Sequence, residues 1–211
     1  MQTHHIEIKK TARIITLGSL TEKTENIWLV LHGYGMLSEY FIQKFSELDL
    51  EKNYIIAPEA LSKFYQNGFT GRIGATWMTS EDRENEIKDY INYLETIFQK
   101  MIHPHLSNRK FICFGFSQGV STLFRWANQN VPPIHQIIAW AGTIPKEVLD
   151  QYQLKSTALK IYYGNEDPLI TVEQAQQLLK VLKEKNIPFE SFEYKGQNSV
   201  ICSIIPQLNE F

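Results

Sequence analysis

Cysteine is scarce in this sequence of 211 residues, which contains only Cys113 and Cys202. Two cysteines form at most one disulfide, so the fold does not depend on a disulfide framework. Long apolar runs are also missing, because segments such as 27–31 and 137–141 are far shorter than the roughly 20 residues that cross a bilayer. The first residues lack the apolar core of a secretory signal. We therefore predict no membrane span and a cytoplasmic location.

Neither sign of charge predominates, since 21 Lys and Arg stand against 23 Asp and Glu. This balance argues against a basic nucleic-acid-binding face and against an acidic tail. The sequence has no Gly-rich phosphate loop, and His103 and His105 have no third ligand nearby in the sequence. We predict an ordinary globular protein that needs no cofactor and no metal and that binds no nucleic acid.

Short apolar segments alternate with helical patterns along the whole chain, and no linker or repeat interrupts them. This alternation is typical of βαβ units and predicts one α/β domain over residues 1–211, with a mostly parallel sheet and helices on both faces. The segments near Ile6 and Ile14 favour an antiparallel edge hairpin instead. The predicted strands are 13–17, 27–31, 54–57, 110–114, 136–140, 159–163 and 189–194.

Helical periodicity is clearest over residues 82–101, where apolar side chains recur three and four positions apart. A second helix begins at Thr171, which forms a capping-box pattern with Gln174, and it ends near Asn186. Further helices are predicted over 38–48, over 118–129 and over roughly the last eight residues.

The most informative motif is Gly115-Phe116-Ser117-Gln118-Gly119, which follows a predicted strand and precedes a predicted helix. Gly-x-Ser-x-Gly in this context is typical of a nucleophile elbow, a tight turn that exposes the serine hydroxyl at the carboxyl edge of the sheet. The two glycines lack a Cβ atom, so strand and helix can approach closely. The motif predicts that Ser117 is a nucleophile, and an ordinary Gly-rich turn is the alternative.

Acyl transfer at a serine also needs backbone N–H groups that bind the developing oxyanion. One donor is expected from Gln118, directly after the nucleophile. The other is expected from the segment Leu31-His32-Gly33-Tyr34-Gly35, where we favour Tyr34. His32 lies in the same segment, and we interpret it as a structural residue rather than a base.

An acidic residue follows the predicted strand 159–163, in the segment Gly164-Asn165-Glu166-Asp167-Pro168. A carboxylate at this place would orient a catalytic histidine, and Asp167 is the candidate. Glu166 is the second choice, and a surface Asp-Pro turn is the alternative without a catalytic role.

These motifs together resemble the α/β-hydrolase fold and, more narrowly, the phospholipase/carboxylesterase family, which includes acyl-protein thioesterases and small bacterial carboxylesterases. The resemblance covers nearly the whole chain, and the motif at 115–119 is its most specific part. It implies hydrolysis of a small-molecule carboxylic ester or thioester through an acyl-Ser117 intermediate, on a domain with little room for a large lid. It also implies a place for Trp77 in the acyl pocket, with a core aromatic as the equal alternative. Further family-like segments are 57–60, 74–79, 81–83, 141–142 and 164–170.

A catalytic histidine is the one expected residue that the sequence does not supply. In the family it follows the last strand as Tyr-x-Gly-x-His or Tyr-x-Gly-x-Gly-His. After Tyr194, the first pattern puts Asn198 at the histidine position and the second puts Ser199 there. We favour Asn198, because Val200 then occupies a position that is usually hydrophobic. All six histidines precede Asp167.

An asparagine cannot accept the proton of a serine hydroxyl at ordinary pH. Two hypotheses follow: a serine hydrolase of low activity, or a catalytically silent protein that binds acyl ligands or a protein partner. An engineered His→Asn replacement and rescue by His32 are further explanations of the same pattern. The sequence is compatible with a monomer and with a homodimer.

Overall fold

A seven-stranded sheet lies at the centre of the computed structural model, which describes residues 1–209. Its strand order is β1-β3-β2-β6-β7-β8-β9, and β1 is antiparallel to β3 while the other neighbours are parallel. The predicted mostly parallel sheet is therefore confirmed. The strands are β1 (Ile14–Leu17), β2 (Asn26–Leu31), β3 (Asn53–Pro58), β4 (Ser62–Asn67), β5 (Thr70–Thr76), β6 (Lys110–Phe116), β7 (Gln136–Trp140), β8 (Ala158–Gly164) and β9 (Glu190–Tyr194).

Helices cover both faces of this sheet, also as predicted. The α-helices are α1 (Ser38–Phe41), α2 (Arg83–Ile97), α3 (Gln118–Asn130), α4 (Lys146–Asp150) and α5 (Val172–Glu184). Helix α2 continues into a π-helical turn (Phe98–Ile102), and 3₁₀ turns lie at Ile42–Phe45, His103–His105 and Cys202–Asn209. The short helix α4 was not predicted.

Two predicted α-helices are shorter or tighter than expected. The helix predicted over 38–48 is α-helical only in α1 and continues as a 3₁₀ turn, in which residues three positions apart lie on one side. This geometry buries Ile42 and Phe45 together. At the C-terminus the predicted helix is a 3₁₀ helix containing Pro206, which has no N–H for an α-helical hydrogen bond. Residues 210–211 of that prediction lie outside the described residues.

Of the predicted edge hairpin, the antiparallel edge strand near Ile14 is confirmed as β1, but the strand near Ile6 is wrong. Residues 1–13 form no strand, Ile6 is 85% exposed, and β1 pairs with β3 instead. A different hairpin, formed by β4 and β5, was missed. Its turn begins at Asn67-Gly68, and Gly68 has a φ of 69°. Because Asn67 pairs with Thr70, the loop is Gly68-Phe69, and a glycine at the first position of a two-residue loop is common in hairpins.

The central strands are buried on both faces. Along β2, Ile27, Leu29 and Leu31 pack into the core beneath α2 and α3. Trp28 and Val30 point the other way, into a second core that contains the aromatic rings near α1 and the C-terminal 3₁₀ helix. This alternation explains why β2 reads as a continuous apolar run in the sequence.

The carboxyl ends of the parallel strands meet at one edge of the sheet, where open α/β sheets bind their ligands. Strand β2 ends at Leu31, β6 at Phe116 and β8 at Gly164. Each of these strands is followed directly by one of the segments with a predicted functional residue.

The capping box of α5 allows the effect of a substitution on the free energy of unfolding to be predicted. The Thr171 hydroxyl accepts a hydrogen bond from the N–H of Gln174, whose side chain accepts from the N–H of Thr171. Thr171→Ala should lower the free energy of unfolding by about 1 kcal/mol in urea denaturation. Thr96→Ala, at an exposed position inside α2, is the matched control and should not destabilise the protein. Equal stability of the two variants would contradict the prediction.

Candidate active site

Ser117 lies at the sharp turn between β6 and α3. Its φ is 53° and its ψ is −116°, a strained conformation for a residue other than glycine. A Cβ atom on Gly119 would overlap the carbonyl oxygen of Leu31, and one on Gly115 would lie 2.8 Å from the Cα of Val120. Both glycines of the motif are therefore needed for the close packing of strand and helix.

Two further glycines leave space around Ser117. A Cβ atom on Gly33 would lie 3.2 Å from the Cβ of Ser117. One on Gly142 would lie 2.5 Å from the carbonyl oxygen of Ser117. The elbow is also held by the Ser117 N–H, which donates to the carbonyl of Trp140 at 2.9 Å. The three loops after β2, β6 and β7 thus converge on this serine.

Acyl transfer at this site would use the Ser117 hydroxyl and the backbone N–H groups of Tyr34 and Gln118. Within residues 1–209, the hydroxyl of Ser117 has no hydrogen-bond partner, and neither do the backbone N–H groups of Tyr34 and Gln118. Gly35, the next residue after Tyr34, donates its N–H to Ala75 at 2.9 Å. The loop is thereby fixed on its outer side while the N–H of Tyr34 is left available.

Asp167 is almost fully buried at the end of β8, with 5% of its surface exposed. Its Oδ1 accepts hydrogen bonds from the N–H groups of Leu169 at 2.8 Å and Ile170 at 3.1 Å. Its Oδ2 accepts from the side-chain amide of Asn198 at 2.7 Å. Three donors therefore stabilise the negative charge of this carboxylate.

Asn198, rather than Ser199, is the residue that meets Asp167. Its Nδ2 donates to Asp167 and also lies 3.3 Å from the carbonyl oxygen of Ala141. The side chain of Ser199 is exposed, and its carbonyl accepts from the indole N–H of Trp140 at 3.0 Å. The geometry thus agrees with the first of the two patterns considered for the missing histidine.

Two aromatic residues, Tyr194 of the loop pattern and Trp140, for which no role was predicted, hold the loop that carries Asn198. The Tyr194 hydroxyl donates to the carbonyl of Gln197 at 3.0 Å, and the indole of Trp140 donates to the same hydroxyl at 3.2 Å. The Trp140 ring is also stacked on Tyr162 at 4.5 Å. No short-range pattern marks Trp140, because its contacts with Tyr194 and Ser199 span 54 and 59 residues.

His32 is fully buried, and both of its ring nitrogens are engaged. Its Nδ1 donates to the carbonyl of Gly33 at 2.7 Å, and its Nε2 accepts from the N–H of Ala60 at 3.1 Å. Burial lowers the pKa of His32, although the bond to Gly33 and the charge of Glu59 act in the opposite direction. This geometry supports the structural interpretation of His32. It gives no support to a role of His32 as a substitute base.

The remaining histidines lie away from the site's hydrogen bonds. His103, His105 and His135 precede strands β6 and β7, at the amino edge of the sheet. His5 lies 3.3 Å from Asp82, at the start of α2. Among the described residues, no histidine bonds to Ser117 or Asp167.

Trp77 lies in the core, with 2% of its surface exposed. Its indole N–H donates to the carbonyl of His32 at 2.9 Å, and the two rings lie 5.1 Å apart. These contacts favour the core alternative, with Trp77 supporting the loop of Tyr34 from below. Its place in an acyl pocket stays a prediction.

A resident metal has no candidate site in the part of the chain that the structure describes, since no three His, Cys, Asp or Glu side chains cluster there. Within the same residues no helix is long and apolar enough to cross a membrane.

The fold and the serine turn define the class of the protein as an α/β hydrolase. The chain belongs to the phospholipase/carboxylesterase family, whose sequence profile matches residues 14–206. Comparison with curated proteins gives no sequence match.

Several solved structures share this fold. Esterase PE8 has a TM-score of 0.74 and 19% identity, covering 94% of this chain and 96% of its own. A phospholipase/carboxylesterase from Dyadobacter fermentans has a TM-score of 0.69 and 22% identity over 96% of both chains. Acyl-protein thioesterase 2 from Zea mays has a TM-score of 0.63 and 17% identity, covering 94% of this chain and 96% of its own. At these identities the likeness establishes the fold.

The buried, neutral His32 predicts a pH dependence of stability. A folded-state pKa below the unfolded value means that the unfolded chain binds the extra proton as the pH falls below about 6.5. The free energy of unfolding should therefore decrease from pH 7 to pH 5, by at most about 1.4 kcal/mol per pH unit for this group.

Urea denaturation across this pH range tests the assignment. His32→Gln should be less stable than the natural chain at pH 7 but should lose less stability on acidification. His103→Gln, at an exposed position, is the matched control. An unchanged slope in His32→Gln would show that His32 does not cause the pH dependence.

Proposed function

We propose that this protein is a serine hydrolase of the carboxylic-ester type whose proton relay is interrupted at Asn198. The observation that carries the proposal is the hydrogen bond of 2.7 Å between Asn198 and Asp167, at the same edge of the sheet as a serine in a strained elbow. Membership of the phospholipase/carboxylesterase family supports the reaction class. Relatives of similar fold include an esterase and an acyl-protein thioesterase, so small acyl esters and thioesters are the proposed substrates.

In this reaction the Ser117 Oγ attacks the carbonyl carbon of the ester. The carbonyl oxygen becomes negatively charged and accepts hydrogen bonds from the N–H groups of Tyr34 and Gln118. The alcohol or thiol then leaves, an acyl-Ser117 ester remains, and water hydrolyses it. The serine must lose a proton in the first step, and the leaving group must gain one.

Asn198 cannot carry that proton. Its amide N–H is donated to Asp167, and an amide oxygen is not a base at ordinary pH. Asp167 therefore orients an amide where the mechanism needs an imidazole. Hydrolases that lose a member of the triad keep a rate enhancement of about 10³–10⁴ over water from the oxyanion hole and binding. We propose a comparable residual activity here.

A second candidate function is a silent protein that binds acyl ligands or a protein partner. The same hydrogen bond favours it, because both oxygens of the Asp167 carboxylate have partners and Trp140 and Tyr194 hold the loop of Asn198. On this proposal the Asp167–Asn198 hydrogen bond keeps the loop in place although the base is missing. Such a protein would bind an acyl compound without consuming it.

Restoring the base is the direct test of the first candidate. Asn198→His should raise kcat for p-nitrophenyl butyrate by at least about 100-fold, since general base catalysis contributes about 10²–10⁴-fold. Ser199→His is the matched control and should give no gain, because the Ser199 side chain is exposed and does not meet Asp167. Ser117→Ala in the Asn198→His background gives the blank rate.

Two outcomes would contradict this account. A gain in Ser199→His but not in Asn198→His would mean that the second pattern describes the loop. No gain in either variant, in proteins that remain folded, would exclude a hydrolase site that lacks only its base.

The binding candidate predicts thermal stabilisation by acyl compounds. Decanoate or a lysophospholipid at 100 times its Kd should stabilise the natural chain by about 2.7 kcal/mol, which raises Tm by several degrees. Chromatography of the ligand after incubation should recover it unchanged. No shift in Tm with acyl chains of any length would exclude the acyl-binding form of this candidate.

A further inference from the structure

The side chain of Gln118 reaches across the site to the chain that follows β5. Its Oε1 accepts from the N–H of Trp77 at 3.1 Å, and its Nε2 donates to the carbonyl of Met78 at 2.8 Å. The hydroxyl of Thr76 lies 3.0 Å from Nε2 and 3.2 Å from Oε1. Only one orientation of the amide presents its oxygen to an N–H and its NH₂ to a carbonyl, so the arrangement is uniquely defined.

The same stretch, residues 75–78, also contacts the loop on the other side of Ser117. We call it the bridging segment. The N–H of Gly35 donates to the carbonyl of Ala75 at 2.9 Å, and the N–H of Ala75 donates to Met36 at 3.1 Å. The indole of Trp77 donates to the carbonyl of His32 at 2.9 Å. The bridging segment is therefore bonded to both loops that face the serine.

We infer that the Gln118 side chain is a positioning residue for the oxyanion site. The Gln118 side chain is hydrogen-bonded to the bridging segment, which is in turn hydrogen-bonded to the loop of Tyr34. These contacts set the separation between the backbone N–H groups of Gln118 and Tyr34. This inference rests on the proposed function, because it assigns the side chain a purpose only if those donors bind an oxyanion.

The geometry of the serine turn explains why further contacts are needed to fix the positions of the two N–H donors. The donors belong to different loops, and a misplacement of about 1 Å can cost about 100-fold in rate. The Ser117 backbone next to Gln118 is strained, so the peptide tends to relax unless neighbouring contacts prevent it. The amide of Gln118 supplies those contacts, and Thr76 and Trp77 are themselves buried, at 3% and 2% exposure.

The test separates positioning from stability through the split between kcat and KM. In the Asn198→His background, Gln118→Met keeps the length of the side chain and removes its hydrogen bonds. We expect kcat to fall about 10- to 100-fold while KM changes less than about twofold. Gln129→Met is the matched control, since Gln129 lies exposed on the same helix, and it should leave both constants unchanged. Assays are run well below each variant's Tm.

A second variant changes Thr76, which is a partner of the Gln118 amide in the same contacts. Thr76→Val removes the hydroxyl that lies against the Gln118 amide, and it should lower kcat by a smaller factor. Because both changes disrupt one network, their effects in the double variant should be less than multiplicative. This pair keeps the inference testable if Gln118→Met does not fold.

A second readout uses the natural chain without the Asn198→His change. The rate at which an alkyl fluorophosphonate labels Ser117, followed by intact mass, should fall in Gln118→Met by a similar factor and should be unchanged in Gln129→Met. If Gln118→Met matches its parent in both readouts, the positioning role is overturned while the proposed function stands. If the Asn198→His protein shows no Ser117-dependent turnover and Ser117 is not labelled, the proposed function fails and the positioning role fails with it.

Discussion

The close approach of α3 to strands β2 and β6 is the constraint on which the site depends. Helix α3 begins directly after Ser117, and it fits there only because Gly115 and Gly119 have no side chain. The packing keeps the Ser117 backbone at positive φ and directs its hydroxyl to the carboxyl edge of the sheet. It also places the N–H of Gln118 at the start of the helix, beside the loop that carries Tyr34. Tightly packed backbone from the loops after β2, β6 and β7 thus holds Ser117 in its strained conformation.

Asp167 and Asn198 are equally well held, although the site we propose differs in its chemistry from an intact triad. Asp167 accepts three hydrogen bonds, and the loop of Asn198 is fixed by Trp140 and Tyr194. In this environment an asparagine and a neutral imidazole satisfy the same carboxylate oxygen through an N–H donor. They differ in what they offer to Ser117, since only imidazole can take up its proton. Retention of geometry and interruption of proton transfer are therefore consistent with each other.

Much of the fold followed from local sequence patterns. Strands β2, β6 and β7 were predictable because apolar runs flanked by turns specify buried parallel strands, and the start of α5 was predictable from Thr171 and Gln174. The serine turn was recognisable for the same reason, since its glycines lie within five residues of one another. By contrast, the roles of Trp140 and of the Gln118 side chain depend on contacts across 59 and 41 residues. Local patterns carry no information about such contacts, and the β4–β5 hairpin lacks the clean apolar alternation that marks a half-buried strand.

We propose that Ser117 is correctly held but lacks a base. Hydrolysis of p-nitrophenyl butyrate by the natural chain, with Ser117→Ala as the blank, tests it most directly. We expect a Ser117-dependent rate that is barely above the blank and several orders of magnitude below the 1–10³ s⁻¹ typical of enzymes. A Ser117-dependent kcat within that typical range would contradict it, because such a rate requires a general base that the Asp167–Asn198 pair does not provide.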